Sequence, residues 1–268
     1  GTPLGDYLET RDLDLYRGVL TGLNEAFVID ADTRRDLIAA DPSSAELIKP
    51  FLKGRDINRY QPPEPRYYVI FARRGIDIDA YPAIKEHLIQ YKEQLMPKPR
   101  DWPSGKKWPG RKPGAYEWYE IQDTVAYYEE FDRPKILYQE IATYQAFTWD
   151  DEGNYANNKV FMIPKGGKHL LALLNARLAW FFFTNTANQY RGGALGMQTP
   201  YVKRFPIPDL TESQQKDLAG WAERQLELHE RLFYRRKKDP EHPLETIIKD
   251  ADAAIDDLVY ALYGLSDA

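Results

Sequence analysis

The sequence predicts an α+β fold: a twisted, mostly antiparallel sheet with packed helices, followed by a C-terminal antiparallel helical hairpin. Three observations lead to this expectation. Short β-branched and aromatic runs alternate with turn-forming residues, a strongly apolar segment occupies 170–183, and the tail repeats apolar residues at spacings of three and four. We expect two units within the 268 residues, a sheet-based domain over 1–210 and the hairpin over 211–268.

Strand and helix signals follow one another through the first 95 residues. Residues 15–30 predict two strands around a glycine-containing turn, and Asp32 can cap a helix over 33–39. The run YYVIFAR at 67–73 is the clearest strand, because it is β-branched and aromatic and follows a group of prolines. Apolar residues at helical spacing predict a helix over 81–95.

The second half of the body continues the alternation. Residues 135–140 and 146–149 predict paired strands, and a further strand over 160–163 follows an acidic, glycine-containing turn. The segment 168–184 predicts one buried helix on the sheet. We expect its aromatic end to belong to the core and not to a cofactor site.

The charged tail predicts two helices that fold back on each other. Pro240 and Pro243 interrupt it within a linker over 234–246. We expect the resulting hairpin to act as a spacer or a docking element. Its two apolar seams consist of Leu218, Trp221, Gln225, Leu228 and Leu232, and of Ile248, Ala251, Ile255, Leu258 and Leu262.

The acidity of the chain comes from its tail. The net charge is −5, and residues 211–268 hold 13 acidic and 8 basic side chains, which leaves the body neutral. The acidic pI therefore does not exclude a nucleic-acid partner for the body. The absence of cysteine excludes disulfides and thiolate metal sites, and the four scattered histidines argue against zinc. The lack of cysteine fits the cytoplasmic location that we expect. The longest apolar run is too short for a membrane span.

Four segments combine basic or amide side chains with glycine or aromatic residues, a composition that suits contacts with DNA phosphates and base edges. Each also has a structural interpretation as a hairpin turn, a solvated face, a disordered linker or a surface loop. Trp102 and Trp108 argue against disorder in the third segment, because disordered segments are poor in aromatic residues. The candidate DNA-binding residues are Arg17, Thr21 and Gly22; Lys53, Arg55 and Arg59; Lys106, Lys107, Arg111 and Lys112; and Arg191, Gly192, Gly193, Gln198, Tyr201 and Lys203.

Known catalytic signatures are missing from the sequence. No G-x-G occurs, which excludes the dinucleotide fingerprint and the usual glycine loop of S-adenosylmethionine folds. No asparagine precedes a proline, so the N-P-P-[YF] motif of adenine methyltransferases is absent. Neither [DE]-x-K nor G-x-S-x-G is present. We therefore expect neither catalytic residues nor a cofactor in this chain.

Five motifs follow one another from about residue 15 to residue 208: RGVLTGLNEAFVID, IKPFLKGRDINRY, RPKILYQEIA, LLALLNARLAWFFF and RGGALGMQTPYVKRFPIP. Together they resemble the TaqI-like C-terminal specificity domain, the target-recognition part of adenine-specific DNA methyltransferases, including fused type IIG restriction-modification enzymes and related phage-defence methyltransferases. The closing IDDLVYALYGL resembles the helical tail that often follows this domain in the fused enzymes.

The resemblance implies that the chain lies against duplex DNA and reads a short sequence. A separate methyltransferase domain of the parent protein would flip an adenine and methylate its N6 from S-adenosylmethionine. The abrupt start at GTPLG fits the expectation that the chain is a piece of something longer.

The resemblance also implies roles for the candidate residues. The first group matches a DNA-facing turn of the family, the second group matches its [KR]-G-R-D-I segment together with Gly54 and Asp56, and the last group matches its late loop. We expect phosphate contacts from 49–60 and base readout from 97–114 and from the late loop. Asp56 is expected to orient Arg55 through a charge-assisted hydrogen bond.

Two other functions stay open at this point. The chain could be a protein-interaction module that docks through the hairpin, with basic loops that are only solvated. It could also bind carbohydrate, which its 19 tyrosines and 6 tryptophans would suit by stacking on sugar rings.

Overall fold

The computed structural model of the chain describes residues 1–236 and 244–265. Within these residues the helices are α1 (Leu4–Glu9), α2 (Asn24–Phe27), α3 (Ala31–Ala40), α4 (Ser44–Leu47), α5 (Pro82–Ile89), α6 (Lys92–Leu95), α7 (Lys168–Asn175), α8 (Arg177–Thr186), α9 (Thr199–Val202), α10 (Glu212–Arg236) and α11 (Leu244–Leu262). The strands are β1 (Thr2–Pro3), β2 (Tyr16–Arg17), β3 (Val28–Ile29), β4 (Ile48–Leu52), β5 (Tyr67–Ile70), β6 (Lys135–Gln139), β7 (Ile141–Ala142), β8 (Phe147–Asp150), β9 (Tyr155–Ala156), β10 (Val160–Pro164), β11 (Asn188–Gln189), β12 (Leu195–Gly196) and β13 (Pro206–Ile207). Short 3-10 turns occupy Gly54–Asp56, Ile78–Ala80 and Tyr128–Asp132.

Most of the strands belong to two four-stranded sheets. The first has the order β2-β10-β6-β8 and the second β3-β5-β4-β9, while smaller sheets join β11-β12-β7 and β1-β13. Among the strands described, every pairing is antiparallel except that of β4 with β9. The predicted α+β class is confirmed, and the strands are divided among several sheets instead of forming one.

The first four-stranded sheet is buried on both of its faces. Successive residues of a strand point to opposite faces, so Tyr138 of β6 enters one core and Leu137 the other. On β10, Phe161 and Met162 divide in the same way. The first core also contains α7, α8, α10 and α11, and the second contains β3, β4, β5 and α5. Burial on both faces explains why these strands read as nearly continuous apolar runs.

Residues 15–30 do not form the expected pair of strands around a turn. Strand β2 pairs with β10 and β3 pairs with β5, and α2 lies between them in sequence. Gly18 permits the pairing with β10, because a Cβ there would lie 2.1 Å from the carbonyl oxygen of Asn157. Its N–H donates to the carbonyl of Val160 at 2.8 Å. The prediction is wrong because this segment finds its partners far along the chain.

The segment 168–184 forms two helices instead of the single expected one. The backbone is extended between α7 and α8, and tertiary hydrogen bonds surround the break. The Asn175 side chain donates to the carbonyl of Phe147 at 2.9 Å and accepts from its N–H at 3.2 Å. The N–H of Arg177 donates to Asp256 at 2.8 Å. The bond to Asp256 satisfies an N–H that a continuous helix would pair internally, and the Asn175 side chain joins the break to β8.

Two smaller differences concern helix ends. The segment 81–95 divides into α5 and α6, because Tyr91 leaves the helical conformation with ψ near 8°. Helix α3 is capped by Asp30 and not by Asp32. The Asp30 carboxylate accepts a hydrogen bond from the N–H of Thr33 at 2.8 Å.

The C-terminal helices form an antiparallel hairpin that shares the first core. Leu218 of α10 and Val259 of α11 lie in that core, whereas Leu232 and Leu244 meet at the other end of the hairpin. Trp221 does not belong to the seam as predicted, since it is 37% exposed and its neighbour Ala222 is buried.

The linker predicted over 234–246 includes residues 237–243, which lie outside the described residues. The division at residue 210 stays a prediction. The hairpin is nevertheless packed on α7 and is continuous with the core of the body.

A buried ion pair joins two strands of the first sheet. Lys135 of β6 and Asp150 of β8 are both fully buried, and their Nζ and Oδ2 atoms lie 2.5 Å apart. Lys135 also donates to the carbonyl of Phe131 at 2.5 Å. Asp150 accepts from the side chain of Asn154 at 2.6 Å and from its N–H at 3.1 Å. The charges are thus surrounded by further hydrogen bonds, as a buried pair requires.

Replacement of Lys135 by methionine is expected to lower the free energy of unfolding by about 3–5 kcal/mol, because Asp150 is left charged and buried. Lys159→Met is the matched control. Lys159 pairs with Glu140 at 2.7 Å on the surface, so its loss should change the free energy by about 0–1 kcal/mol. Urea unfolding of both variants measures the difference. Equal effects of the two substitutions would contradict this account of the core.

Candidate nucleic-acid interface

The Thr21–Gly22 turn packs against the side chain of Arg111. Thr21 is buried, its hydroxyl donates to Asn24 at 2.9 Å, and its carbonyl accepts from Arg111 at 3.0 Å. Gly22 adopts φ +86°, and a Cβ there would lie 2.7 Å from Cδ of Arg111. Thr21 therefore has a structural role in this turn, and the turn itself requires Gly22.

Arg17 lies on the exposed side of the same region. Its guanidinium forms an ion pair with Asp123 at 3.1 Å, and nearly half of the side chain remains exposed. The hydroxyl of Tyr127 donates to the Arg17 carbonyl at 2.7 Å and fixes the backbone there. A contact between Arg17 and DNA stays a prediction.

Arg111 is only 5% exposed, although the sequence predicts it on a DNA-facing loop. Its guanidinium donates to main-chain carbonyls: Nε to Leu95 at 2.8 Å, Nη1 to Thr21 at 3.0 Å and Glu120 at 2.7 Å, and Nη2 to Trp118 at 3.0 Å and Glu117 at 3.3 Å. The Tyr116 ring centre lies 4.5 Å from the guanidinium carbon. Burial lowers the pKa of Arg111 to about 10. The structure therefore does not place Arg111 on the loop surface, because every donor of this side chain points inward.

The basic loop over residues 97–114 is stabilised from inside by its two tryptophans. Trp102 and Trp108 meet edge to face with ring centres 4.6 Å apart. The indole of Trp102 donates to the carbonyl of Lys106 at 3.1 Å, and that of Trp108 donates to the carbonyl of Met96 at 3.1 Å. The loop is ordered by its own contacts, and these rings are not free stacking surfaces as the sequence suggests.

The turn at Gly54–Asp56 is capped by its own acidic residue. The Asp56 carboxylate accepts a hydrogen bond from the N–H of Lys53 at 2.7 Å. Asp56 is thus structural, but it acts on the backbone of Lys53 and does not orient Arg55 as expected. The ammonium group of Lys53 lies 3.5 Å from the ring centre of Tyr67. Arg55 extends from the turn into solvent.

Arg59 joins this turn to the C-terminal helix. Its Nη1 pairs with Asp252 of α11 at 2.7 Å, and its Nη2 donates to the carbonyl of Asn175 at 3.0 Å. Gln225 of α10 donates to the other Asp252 oxygen at 2.5 Å. The structure thus turns Arg59 toward the C-terminal helix, and each of its terminal nitrogens donates a hydrogen bond within the protein.

The late loop forms the turn between β11 and β12. Arg191 is exposed at its tip, followed by Gly192 at φ +80° and Gly193 at φ +77°. A Cβ at either glycine would meet no atom within 4 Å. The glycines are therefore required by backbone conformation, and the space around them is open to a partner.

The remaining candidates of the late loop are partly buried. The amide of Gln198 donates to the hydroxyl of Tyr190 at 3.2 Å, and Lys203 pairs with Asp14 at 2.5 Å. Tyr201 is half-buried on α9. DNA contacts by Gln198, Tyr201 and Lys203 stay predictions.

Five candidate cations extend into solvent with no ion pair among the residues that the structure describes. They are Arg55, Lys106, Lys107, Lys112 and Arg191. They lie on turns and loops, where a charged side chain can meet a phosphate without rearrangement of the core.

Arg74 is a structural residue of this region that sequence reasoning missed. It donates to the carbonyls of Ala115 and Gln122 at 2.6 and 2.7 Å, and so holds the segment that follows the basic loop. These partners lie 41 and 48 positions away in sequence, so no local pattern reveals them.

Neither a candidate metal site nor a membrane-spanning helix is found in the part of the chain that the structure describes. Over 1–236 and 244–265, no three His, Cys, Asp or Glu side chains are grouped so that they could hold a metal ion. No helix in that part of the chain is both long and apolar enough to cross a bilayer.

Comparison with known proteins identifies the family of this chain. Residues 49–207 match the TaqI-like C-terminal specificity domain. The chain belongs to this family. The matched region begins in β4, so it contains the Gly54–Asp56 turn and the late loop but not the first motif at 17–22. The span expected from the sequence motifs started earlier, near residue 15.

One curated protein and two solved structures are similar to this chain. The chain is 26% identical over 211 residues to the type II methyltransferase M.BstVI of Geobacillus stearothermophilus, covering 75% of this chain and 34% of that protein. Its fold resembles that of the type IIL restriction-modification enzyme MmeI, solved in complex with DNA, with a TM-score of 0.66, 17% identity and coverage of 96% of this chain and 33% of MmeI. The type IIG restriction endonuclease BpuSI gives a TM-score of 0.48 at 15% identity, over 97% of this chain and 32% of BpuSI. The chain spans about a third of the length of these relatives.

Replacement of Arg59 by methionine is expected to lower the free energy of unfolding by about 1.5–3 kcal/mol, because it leaves Asp252 without its charged partner. Arg55→Met, four positions earlier on the solvent side, should change it by less than about 0.5 kcal/mol. Chemical denaturation compares the two variants. A larger loss of stability for Arg55→Met would show that the inward and outward arginines are wrongly distinguished.

Proposed function

We propose that this specificity domain recognises a short duplex DNA sequence, as the target-recognition module of an N6-adenine DNA methyltransferase or of a fused type IIG restriction-modification enzyme. Family membership is the observation on which the proposal rests: the match over 49–207 is to a domain described by its specificity. The likeness to the fold of MmeI over 96% of the chain agrees with such a module.

The exposed cations supply the chemistry that the proposal needs. Arg55 and the lysines of the basic loop can neutralise phosphates, which gives affinity without sequence preference. Arg191 can form two parallel hydrogen bonds with a guanine edge, and the open Gly192–Gly193 backbone lets the loop approach the groove. Phosphate contacts position the domain, and base contacts select the sequence.

Methyl transfer would take place in a separate domain of the parent protein. This chain has no G-x-G, and we assign none of its residues to S-adenosylmethionine. The parent's methyltransferase domain is the protein partner that we propose, within a cytoplasmic enzyme of phage defence. Its role would be to methylate the adenine that this domain brings into register.

The alternative of a module that docks through its hairpin has less support. Most of the seam that would bind a partner is covered, because Leu218, Leu228 and Ile255 are buried within the chain. Trp221 is the exposed exception. Arg55, Lys106 and Lys107, by contrast, are exposed to solvent.

Selection from a randomised duplex library tests the proposal directly. The 268-residue chain is incubated with the library at two salt concentrations, and bound sequences are selected over several rounds. We expect enrichment of one short motif, with binding that weakens steeply as salt rises, because phosphate contacts release counterions.

Each other outcome of the selection has a defined meaning. Binding without enrichment would show phosphate contacts alone and would contradict sequence recognition by this chain. Absence of binding at low salt by a folded sample would remove support for a DNA partner. Binding to duplex DNA that does not change with salt would favour stacking of aromatic side chains on sugar rings over contacts with phosphates.

Lys106 and Lys107 offer a second test. Their joint replacement by glutamine should weaken binding to all sequences alike and should reduce the salt dependence by about one phosphate contact for each lysine. Lys216→Gln, an exposed lysine on α10, is the matched control and should leave affinity unchanged. Fluorescence anisotropy over a salt series measures both effects. Equal loss of affinity in the control would show that net charge alone is responsible.

A further inference from the structure

Within the basic loop, the segment 97–110 is closed by hydrogen bonds between its two ends. The N–H of Lys98 donates to the carbonyl of Arg111 at 3.0 Å, and the N–H of Arg111 donates to the carbonyl of Met96 at 3.0 Å. These bonds form a parallel bridge between Pro97 and Arg111. Together with the tryptophan pair inside, they give the loop a defined shape in which Lys106 and Lys107 are exposed.

Arg111 attaches this closed loop to the body of the protein through main-chain atoms alone. Its acceptors belong to three separate segments: the end of α6, the Thr21–Gly22 turn, and residues 117–120. Because no acceptor is a side chain, the attachment does not depend on which residues the loop carries at its tip. The tip can change in sequence while its position is kept.

The body provides a fitted seat for the guanidinium. Gly22 leaves the space that Cδ of Arg111 occupies, and the Tyr116 ring covers the group from another side. Arg74 and Glu120 stabilise the segments that surround this guanidinium. Arg74 donates to carbonyls on both sides of it, and the Glu120 carboxylate accepts from the N–H of Gly75 at 2.6 Å.

We propose that Arg111 is the positioning residue of the DNA-reading loop: from its seat beside Gly22 it holds residues 97–110 in one conformation before DNA binds, and so determines which bases the tip can reach. This inference rests on the proposed function. A loop that is already ordered loses less conformational entropy on binding than one that folds on DNA. Arg111 thus increases affinity and fixes sequence preference without touching DNA.

Three variants of the 268-residue chain test the proposal. Arg111→Lys keeps the positive charge but lacks the five N–H donors that the seat requires. Gly22→Ala places a Cβ against Arg111 at a positive φ. Gly264→Ala is the matched control, because Gly264 has a similar φ of +70° with no atom within 4 Å of the added carbon, and it takes no part in the contacts of Arg111.

Hydrogen exchange and library selection are the two measurements. In Arg111→Lys and Gly22→Ala, we expect the amides of 97–110 and the two loop indoles to exchange about tenfold faster or more, while β6 and β10 stay protected. DNA affinity should fall by about tenfold, and the selected motif should lose preference at the positions that the loop reads. Gly264→Ala should match the unmodified chain in both measurements.

Two results would overturn the proposal. One is unmodified protection of the loop in Arg111→Lys. The other is a loosened loop that still selects the same motif with the same affinity. If Arg111→Lys does not fold, the comparison of Gly22→Ala with Gly264→Ala decides between the same outcomes. If the unmodified chain enriches no motif, the proposed function fails together with the DNA-reading part of this proposal, and hydrogen exchange shows separately whether Arg111 orders the loop.

Discussion

Removal of cationic side chains from water is the constraint on which the rest of this structure depends. A buried guanidinium or ammonium group needs acceptors for its N–H groups, and the chain must bring those acceptors together. Lys135 binds Asp150 between two strands, and Arg59 binds Asp252 of the hairpin. Arg111 gathers carbonyls from three segments. Each buried cation therefore joins parts of the chain that are distant in sequence.

The same constraint divides the basic residues of the motifs into two sets. Within the turn that follows β4, Arg59 is held inside the protein while Arg55 stays in solvent. Within the basic loop, Arg111 is inside and Lys106 and Lys107 are outside. The inward residues give the turns and loops their shape, and the outward residues are available to a polyanion. The hairpin takes part in this arrangement, because it supplies the partner of Arg59.

The sequence predicts the features that depend on local patterns. The α+β class, the hairpin and the family follow from periodicity, turn residues and motif order. The burial of a side chain does not follow from these local patterns, because Arg55 and Arg59 look equally suited to DNA in the sequence. The partner of Arg59 lies 193 positions away, and the break at the end of α7 depends on Asp256 in the last helix. Trp102 and Trp108 are a second example. Their presence indicates that the loop is ordered, but the sequence does not show whether the rings face the protein or the solvent.

Arginine side-chain NMR spectra, recorded while a duplex selected from the library is added, test the central claim most directly. The account predicts that the Nε–H signals of Arg55 and Arg191 shift on binding, because these side chains move from water to phosphate or base. The signals of Arg59 and Arg111 should stay in place and remain protected from exchange with water. Shifts of Arg59 or Arg111 with no change at Arg55 and Arg191 would contradict the division between inward and outward cations.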